Sequence, residues 1–212
     1  MDVVVLVSGR GSNLRAICDA VDAGTCSANI VGVVSDRKNA AALEFAGARG
    51  IATRVVPLRK GDERDAWNEA LAEEVTALKP DLVVLAGFMR VLGAPLLERF
   101  PGRIINVHPA LLPSFPGHNG PQDALDGGVR ISGCTVHIVD AGVDTGPILA
   151  QAAVPVLAGD TADTLHARIQ GQEHALLPRV IHQIAIGAIT LDPLTVTTPV
   201  ADPARSLSVP DA

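Results

Sequence analysis

The sequence predicts an open, twisted α/β sheet, mostly parallel, with helices on both faces and an antiparallel strand toward its C-terminal end. Three observations carry this. Short apolar, β-branched runs alternate with helical stretches through the first half, the pattern of repeated βαβ units. The first run, residues 2–7, is apolar at nearly every position, which marks a strand covered on both faces. Two later runs, 131–139 and 148–156, are joined by a Gly-rich connection too short for a crossover helix, so they pair antiparallel.

The elements follow in order. After the strand at 2–7, the turn Ser8-Gly9-Arg10-Gly11-Ser12 leads into a helix over 13–23. Residues 29–35 form the second strand. Residues 39–49 are Ala-rich and helical, with Gly50 placed to end them. The third strand covers 52–56, and the helix over 63–78 stops at Lys79-Pro80. Residues 81–86 are another buried strand and 95–100 a short helix. The strand at 103–107 is closed by Pro109, which cannot continue a ladder. A Pro/Gly-rich loop spans 109–120, and Pro121 opens a helix over 121–126. Residues 161–186 form one long helix, with a bend expected near Pro178. This order is that of a Rossmann-like sheet. Residues 1–192 make one domain, and 193–212, rich in Pro, Thr, Ser and Asp, are expected to be a mobile tail.

Composition excludes several classes of function. The net charge is −6, and the aromatics are four Phe, one Trp and no Tyr. Neither the charge nor the scarcity of stacking rings suits a nucleic-acid partner. No apolar stretch approaches the roughly 18 residues of a membrane span. The chain opens directly into a strand with no basic n-region before it, so no signal peptide is expected. Cys18, Cys26 and Cys134 are odd in number and lack disulfide or metal spacing, which points to a reducing cytoplasm. No His/Cys/Asp cluster has zinc-ligand spacing.

Four segments carry candidate chemistry. In Asn106-Val107-His108-Pro109 the first and third side chains share one strand face, at the strand end where open α/β sheets bind ligands. An amide donor beside an imidazole suits acyl transfer, where an oxyanion develops and a proton moves. Alone, His108 reads equally as a core histidine and Asn106 as a loop cap. The turn with Gly9, Gly11, Ser12 and Asn13 would hold an anion at a helix N-terminus. The third glycine of a dinucleotide fingerprint would fall at Leu14, so a phosphate monoester fits better, and an ordinary βα turn remains the alternative. In Ala86-Gly87-Phe88-Met89-Arg90-Val91-Leu92, small and apolar residues could form a slot for a flat ring, Gly87 letting the backbone come close; a core strand running into a helix is the alternative. Asp144, between Gly142 and Gly146, is either a turn residue or the carboxylate that a catalytic histidine needs. Thr135 and His137 share a face of their strand, with nothing to say which.

Together these segments resemble the phosphoribosylglycinamide formyltransferase family, from Val3 to about Ala188. Ser8-Gly9-Arg10-Gly11-Ser12-Asn13-Leu14 is similar to its phosphate loop, and Ala86-Gly87-Phe88-Met89-Arg90 to its folate-side segment. Asn106-Val107-His108-Pro109, Leu111-Leu112-Pro113 and Asp144-Thr145-Gly146-Pro147 are similar to its catalytic signature. One departure is Asn119, where the family often carries His. The resemblance implies an enzyme in which the amine of glycinamide ribonucleotide attacks the formyl carbon of 10-formyltetrahydrofolate through a tetrahedral intermediate, in purine biosynthesis. It implies catalytic roles for Asn106, His108 and Asp144; ribotide contacts from Gly11, Ser12, Asn13, Gln170 and Glu173; and folate contacts from Arg64, Met89, Arg90, Val91, Leu92 and Asn106. It requires no metal, and the chain is expected to act as a monomer or homodimer. Two rivals stand beside it. A 10-formyltetrahydrofolate hydrolase would share the catalytic trio but is expected to carry an added N-terminal regulatory domain. A non-catalytic nucleotide-binding module would use only the first turn.

Overall fold

The computed structural model describes Met1–Leu191; the expectation for residues 193–212 lies outside these. In chain order the elements are β1 (Asp2–Val7), α1 (Ser12–Asp22), β2 (Asn29–Ser35), α2 (Ala41–Ala48), β3 (Thr53–Val55), α3 (Arg64–Ala77), β4 (Leu82–Leu85), α4 (Ala94–Arg99), β5 (Ile104–His108), α5 (Gly120–Asp126), β6 (Ile131–Ile138), β7 (Ile148–Pro155) and α6 (Ala162–Ala185). One seven-stranded sheet has the order β3-β2-β1-β4-β5-β6-β7. Pairings from β3 through β5 are parallel. β6 runs antiparallel to β5 and β7 antiparallel to β6, so β6 alone is inverted.

The strand periodicity of two divides β1 between two cores. Val3, Val5 and Val7 pack with Leu14 and Ile17 of α1 and with Leu165, Ile169 and Leu177 of α6. Val4 and Leu6 pack with Trp67 and Leu71 of α3 and Leu96 of α4. All five β1 side chains have 0% exposure, which is why the sequence there shows no polar alternation. Gly50, at φ 72°, ends the turn after α2 as expected. Thr161 caps α6 by accepting from Thr164 N at 3.3 Å, and the Thr164 hydroxyl accepts in return from Thr161 N at 2.9 Å. α6 continues through Pro178 without a break.

The chain steps from one side of β1 to the other between β3 and β4, which makes the β1/β4 boundary a switch point. Ligands of open α/β sheets bind beyond the C-terminal strand ends there. The inverted β6 brings a second set of residues back to the same edge.

That inversion depends on close approach at Gly133 of β6, where an added Cβ would stand 2.0 Å from the Ala152 carbonyl oxygen of β7. Gly133→Ala should cost about 1–3 kcal/mol or more. Gly171→Ala, inside α6 with nothing within 4 Å of the new Cβ, should instead stabilise by about 0.5–1 kcal/mol. Thermal unfolding of the two variants checks the contrast; equal melting temperatures would contradict it.

Candidate active site

A cleft of about 780 Å³ opens over the C-terminal ends of β1, β4 and β5. Its first end is built by the turn after β1. Gly11 is the N-cap of α1, so no side chain caps the first amides of that helix. Glycine is required there twice over: φ is 75°, and a Cβ would lie 2.6 Å from Cβ of Ala42. Gly11, Ser12 and Asn13 line the cleft, while Leu14 is wholly buried in the core. Uncapped N–H groups at a helix N-terminus attract an anion. The opposite wall is one stripe of α6, with Asp163, His166, Gln170 and Glu173. Asn13 Nδ2 donates to Glu173 Oε2 at 2.9 Å, tying the turn to that wall. Burial pushes the Glu173 carboxyl above its ordinary value, against the pull of the Asn13 hydrogen bond.

The centre of the cleft is a buried cluster around Asp144. His108, at 3% exposure, sits at the end of β5. Its Nδ1 lies 3.3 Å from Asp144 Oδ2, and its Nε2 donates to the Phe115 carbonyl oxygen at 2.8 Å. The same Asp144 oxygen accepts from Gly117 N at 2.8 Å. The other, Oδ1, lies 3.4 Å from Asn106 Nδ2 and 3.4 Å from His137 Nε2. Asp144 reaches this position with φ 56°, a left-handed conformation. It is free to do so because Asp140, not Asp144, bonds the turn: its Oδ1 accepts from Gly142 N at 3.0 Å and from the Thr145 hydroxyl at 2.7 Å. The loop following His108 is stapled from β6. The Thr135 hydroxyl donates to the Ala110 carbonyl oxygen at 2.7 Å and accepts from Leu112 N at 3.0 Å.

Electrostatics at the centre pull in opposite directions. Burial pushes the His108 imidazole below its ordinary value, and this outweighs the upward pull of Asp144 and of the Phe115 carbonyl; His137 adds to the lowering. Burial would raise Asp144, but the adjacent His137, the Gly117 amide and the nearby His108 together bring the carboxyl below its usual range. The resemblance implied that Asp144 charges His108. Its contribution has that sign, yet desolvation decides the net direction. The 3.3 Å separation is longer than the roughly 2.7–2.9 Å of a charge-assisted hydrogen bond.

The far end follows β4. Residues 85–92 line the cleft, and Met89 and Val91 stay exposed, at 49% and 56%. Gly87 has φ 74° with nothing within 4 Å of an added Cβ, so the turn's conformation favours glycine there while the space beside it is open to the cleft. Its carbonyl oxygen accepts from Ser8 N at 3.1 Å, and Met89 N donates to the Ser8 hydroxyl at 2.9 Å, joining the two ends of the cleft. Arg90 Nε donates to the buried Asp36 carboxylate at 2.8 Å.

The cleft brings together every residue expected in the site except Arg64. Arg64 stacks over Trp67, 4.6 Å from its ring centre, and donates to the Val91 carbonyl, so it braces the 89–92 segment from behind. Sequence reasoning left the direction of His137 open and missed His166 and the backbone contacts of Phe115 and Gly117. His137 stands opposite Asn106 in the β5–β6 ladder, so antiparallel register was the signal that could have found it. Asp163, His166, Gln170 and Glu173 follow helical spacing, which would have found His166 once the wall was known.

Known proteins place this geometry. The formyl transferase family model matches residues 1–181. The chain belongs to the formyl transferase family. Phosphoribosylglycinamide formyltransferase of Mycobacterium tuberculosis (strain H37Rv) is 49% identical over 195 residues, covering 92% of this chain and 90% of that protein. The Escherichia coli K12 protein of the same name is 42% identical over 191 residues, 90% of each chain. The crystal structure of glycinamide ribonucleotide transformylase 1 from Symbiobacterium toebii superposes with a TM-score of 0.89 at 44% identity, over 93% of each chain. A formyltetrahydrofolate deformylase from Pseudomonas syringae superposes with a TM-score of 0.85 at 23% identity, a likeness of fold alone. Among the described residues of this formyl transferase, no group of three or more His, Cys, Asp or Glu is placed to hold a metal ion. No described helix is long and apolar enough to cross a membrane.

The His108–Asp144 link has a measurable consequence. Asp144 raises the His108 pKa, so Asp144→Asn, which keeps size and removes charge, should lower it further. An NMR titration of His108 in both proteins reads the shift. An unchanged curve would mean that carboxylate and ring are uncoupled.

Proposed function

We propose that this chain transfers the formyl group of 10-formyltetrahydrofolate to the amine of glycinamide ribonucleotide, in purine biosynthesis. One observation carries the reading. The Asn106, His108 and Asp144 cluster lies in one cleft between an uncapped helix N-terminus suited to phosphate and an apolar, backbone-lined segment suited to a flat heterocycle. The match to proteins of that name over nine-tenths of both chains supports the choice of acceptor.

In this reading the amides of Gly11, Ser12 and Asn13 hold the ribotide phosphate, and Gln170 and Glu173 meet the ribose. The folate ring lies against Met89, Arg90, Val91 and Leu92, whose backbone Arg64 braces; the exposed side chains of Met89 and Val91 supply apolar cover. The ribotide amine attacks the formyl carbon, the carbonyl oxygen becomes an oxyanion, and the bond to the folate nitrogen breaks. The amine gives up a proton and the folate nitrogen gains one. Asn106 donates to the oxyanion. His108 moves the protons, and the ionised Asp144 stabilises its imidazolium as it forms. Nε2 of His108 is engaged by Phe115, so that contact must open before this nitrogen can reach a reacting group.

The deciding experiment follows folate product by absorbance with and without glycinamide ribonucleotide. Release should require the ribotide; equal release with water as sole acceptor would make the enzyme a hydrolase, and no release with binding intact would leave a binding module. The phosphate end has its own test. Ser12→Glu sets a fixed negative charge at the helix N-terminus, so the ribotide KM should rise at least tenfold with a smaller change for folate. An unchanged ribotide KM in the folded variant would rule out this turn as the phosphate site.

A further inference from the structure

His137 is 2% exposed and stands opposite Asn106 across the β5–β6 ladder. Its Nδ1 lies 2.9 Å from the Ile138 carbonyl oxygen. A carbonyl oxygen only accepts, so Nδ1 carries the hydrogen, and in the neutral ring Nε2 is a bare lone pair. That lone pair faces the Asn106 side-chain amide at 3.2 Å, with Asp144 Oδ1 alongside. Turned the other way, the amide would set its oxygen against two acceptors. The nitrogen-inward orientation is therefore the satisfied one.

The distances also say what is left over. Asn106 Nδ2, His137 Nε2 and Asp144 Oδ1 stand 3.2, 3.4 and 3.4 Å apart, a nearly equilateral triangle. Seen from the amide nitrogen, both acceptors lie within about 60° of each other, whereas its two N–H bonds diverge by about 120°. One hydrogen serves the inner pair and the other remains for the cleft that Asn106 lines. His108 approaches Asp144 from its other oxygen, Oδ2, where Gly117 N also donates, so neither competes for this triangle.

We propose that His137 is a positioning residue: an imidazole held in one tautomer by the Ile138 carbonyl, whose Nε2 lone pair turns the Asn106 amide so that its second N–H meets the developing oxyanion. The proposal rests on the reading of Asn106 as oxyanion donor. His137 touches no reacting atom and acts through Asn106.

The test is a double-mutant cycle with a rescue. Asn106→Ala should lower kcat about 10²–10³-fold. His137→Phe keeps a ring but has no acceptor, and should lower kcat by at least tenfold with both KM values within about threefold. His137→Gln, which can return an acceptor oxygen, should recover most of that loss. Asn106→Ala/His137→Phe should be no slower than Asn106→Ala alone, because the second change removes support for a group already gone. Additive losses, or a folded His137→Phe within twofold of wild type while Asn106→Ala is severely impaired, would overturn the role of His137 and leave that of Asn106 intact. A near-normal Asn106→Ala would defeat the underlying reading and this proposal together. Nitrogen NMR of the wild-type ring gives a readout independent of folding in the variants: hydrogen on Nδ1 alone is expected, and hydrogen on Nε2, with or without one on Nδ1, would overturn the proposal.

Discussion

The carboxylate of Asp144 is the constraint on which the centre of this molecule depends. Its two oxygens meet the His108 ring, the Gly117 amide, the Asn106 amide and the His137 ring. Those groups come from the end of β5, from β6 and from the loop after Pro113, so one anion fixes three separate pieces of chain. A buried charge persists only where donors compensate its lost hydration. Here compensation is sufficient to keep the carboxyl below its usual range despite burial. Each imidazole has its far nitrogen committed to a backbone carbonyl, Phe115 for His108 and Ile138 for His137, and turns its near nitrogen to the carboxylate. The Asn106 amide lies between His137 and Oδ1, and nothing equivalent lies between His108 and Oδ2. The ring with room for a further proton on its Asp144 side is His108.

Sheet topology makes that arrangement possible. Five parallel strands would end together and supply only loops to the edge. Inverting β6 sends a strand past that edge in the opposite sense, so that a strand residue, His137, faces another strand residue, Asn106, with the rigidity of a ladder. The connection from β6 to β7 must then fold back within a few residues. Gly146, where a Cβ would lie 1.9 Å from the Ile138 carbonyl oxygen, lets it do so, and Asp144 rides on the resulting turn.

What the sequence made legible follows from how local each signal is. The strands and helices were readable to within a residue or two, because buried βαβ segments are defined by runs and caps: Asp2–Val7 by its unbroken apolarity, α6 by its Thr161 cap. Asn106 and His108 were readable because two-residue spacing at a strand end needs no tertiary knowledge. His137 was not, since its role exists only through the register of β5 against β6. The carbonyl of Phe115 and the amide of Gly117 were invisible for a different reason: they are backbone groups, aimed by loop φ values of 57° and 100° that no side-chain pattern encodes. Gly87 adds a constraint that the sequence pattern does not encode, a positive φ in the turn after β4. Arg64 was expected to contact the folate; it stacks on Trp67, donates to the Val91 carbonyl and is not among the residues lining the cleft.

On the proposed reading, an acidic chain must receive an anionic substrate. At −6 overall the protein repels a phosphate at long range, but beyond roughly 8 Å physiological salt screens that repulsion. Inside that radius the local groups decide. Arg10 and Arg37 line the cleft, and neither is in an ion pair among the described residues, whereas Arg90 is held by Asp36. The nearest buried acid, Glu173, is the one whose carboxyl burial pushes upward, which weakens its negative charge where an anion is to sit. Burial therefore acts in the same direction at both places: it favours the neutral form of Glu173 beside the phosphate turn and of His108 at the reacting centre. Asp144 goes the other way: the Gly117 and Asn106 amides and the groups beside it hold its carboxyl below the usual range against burial.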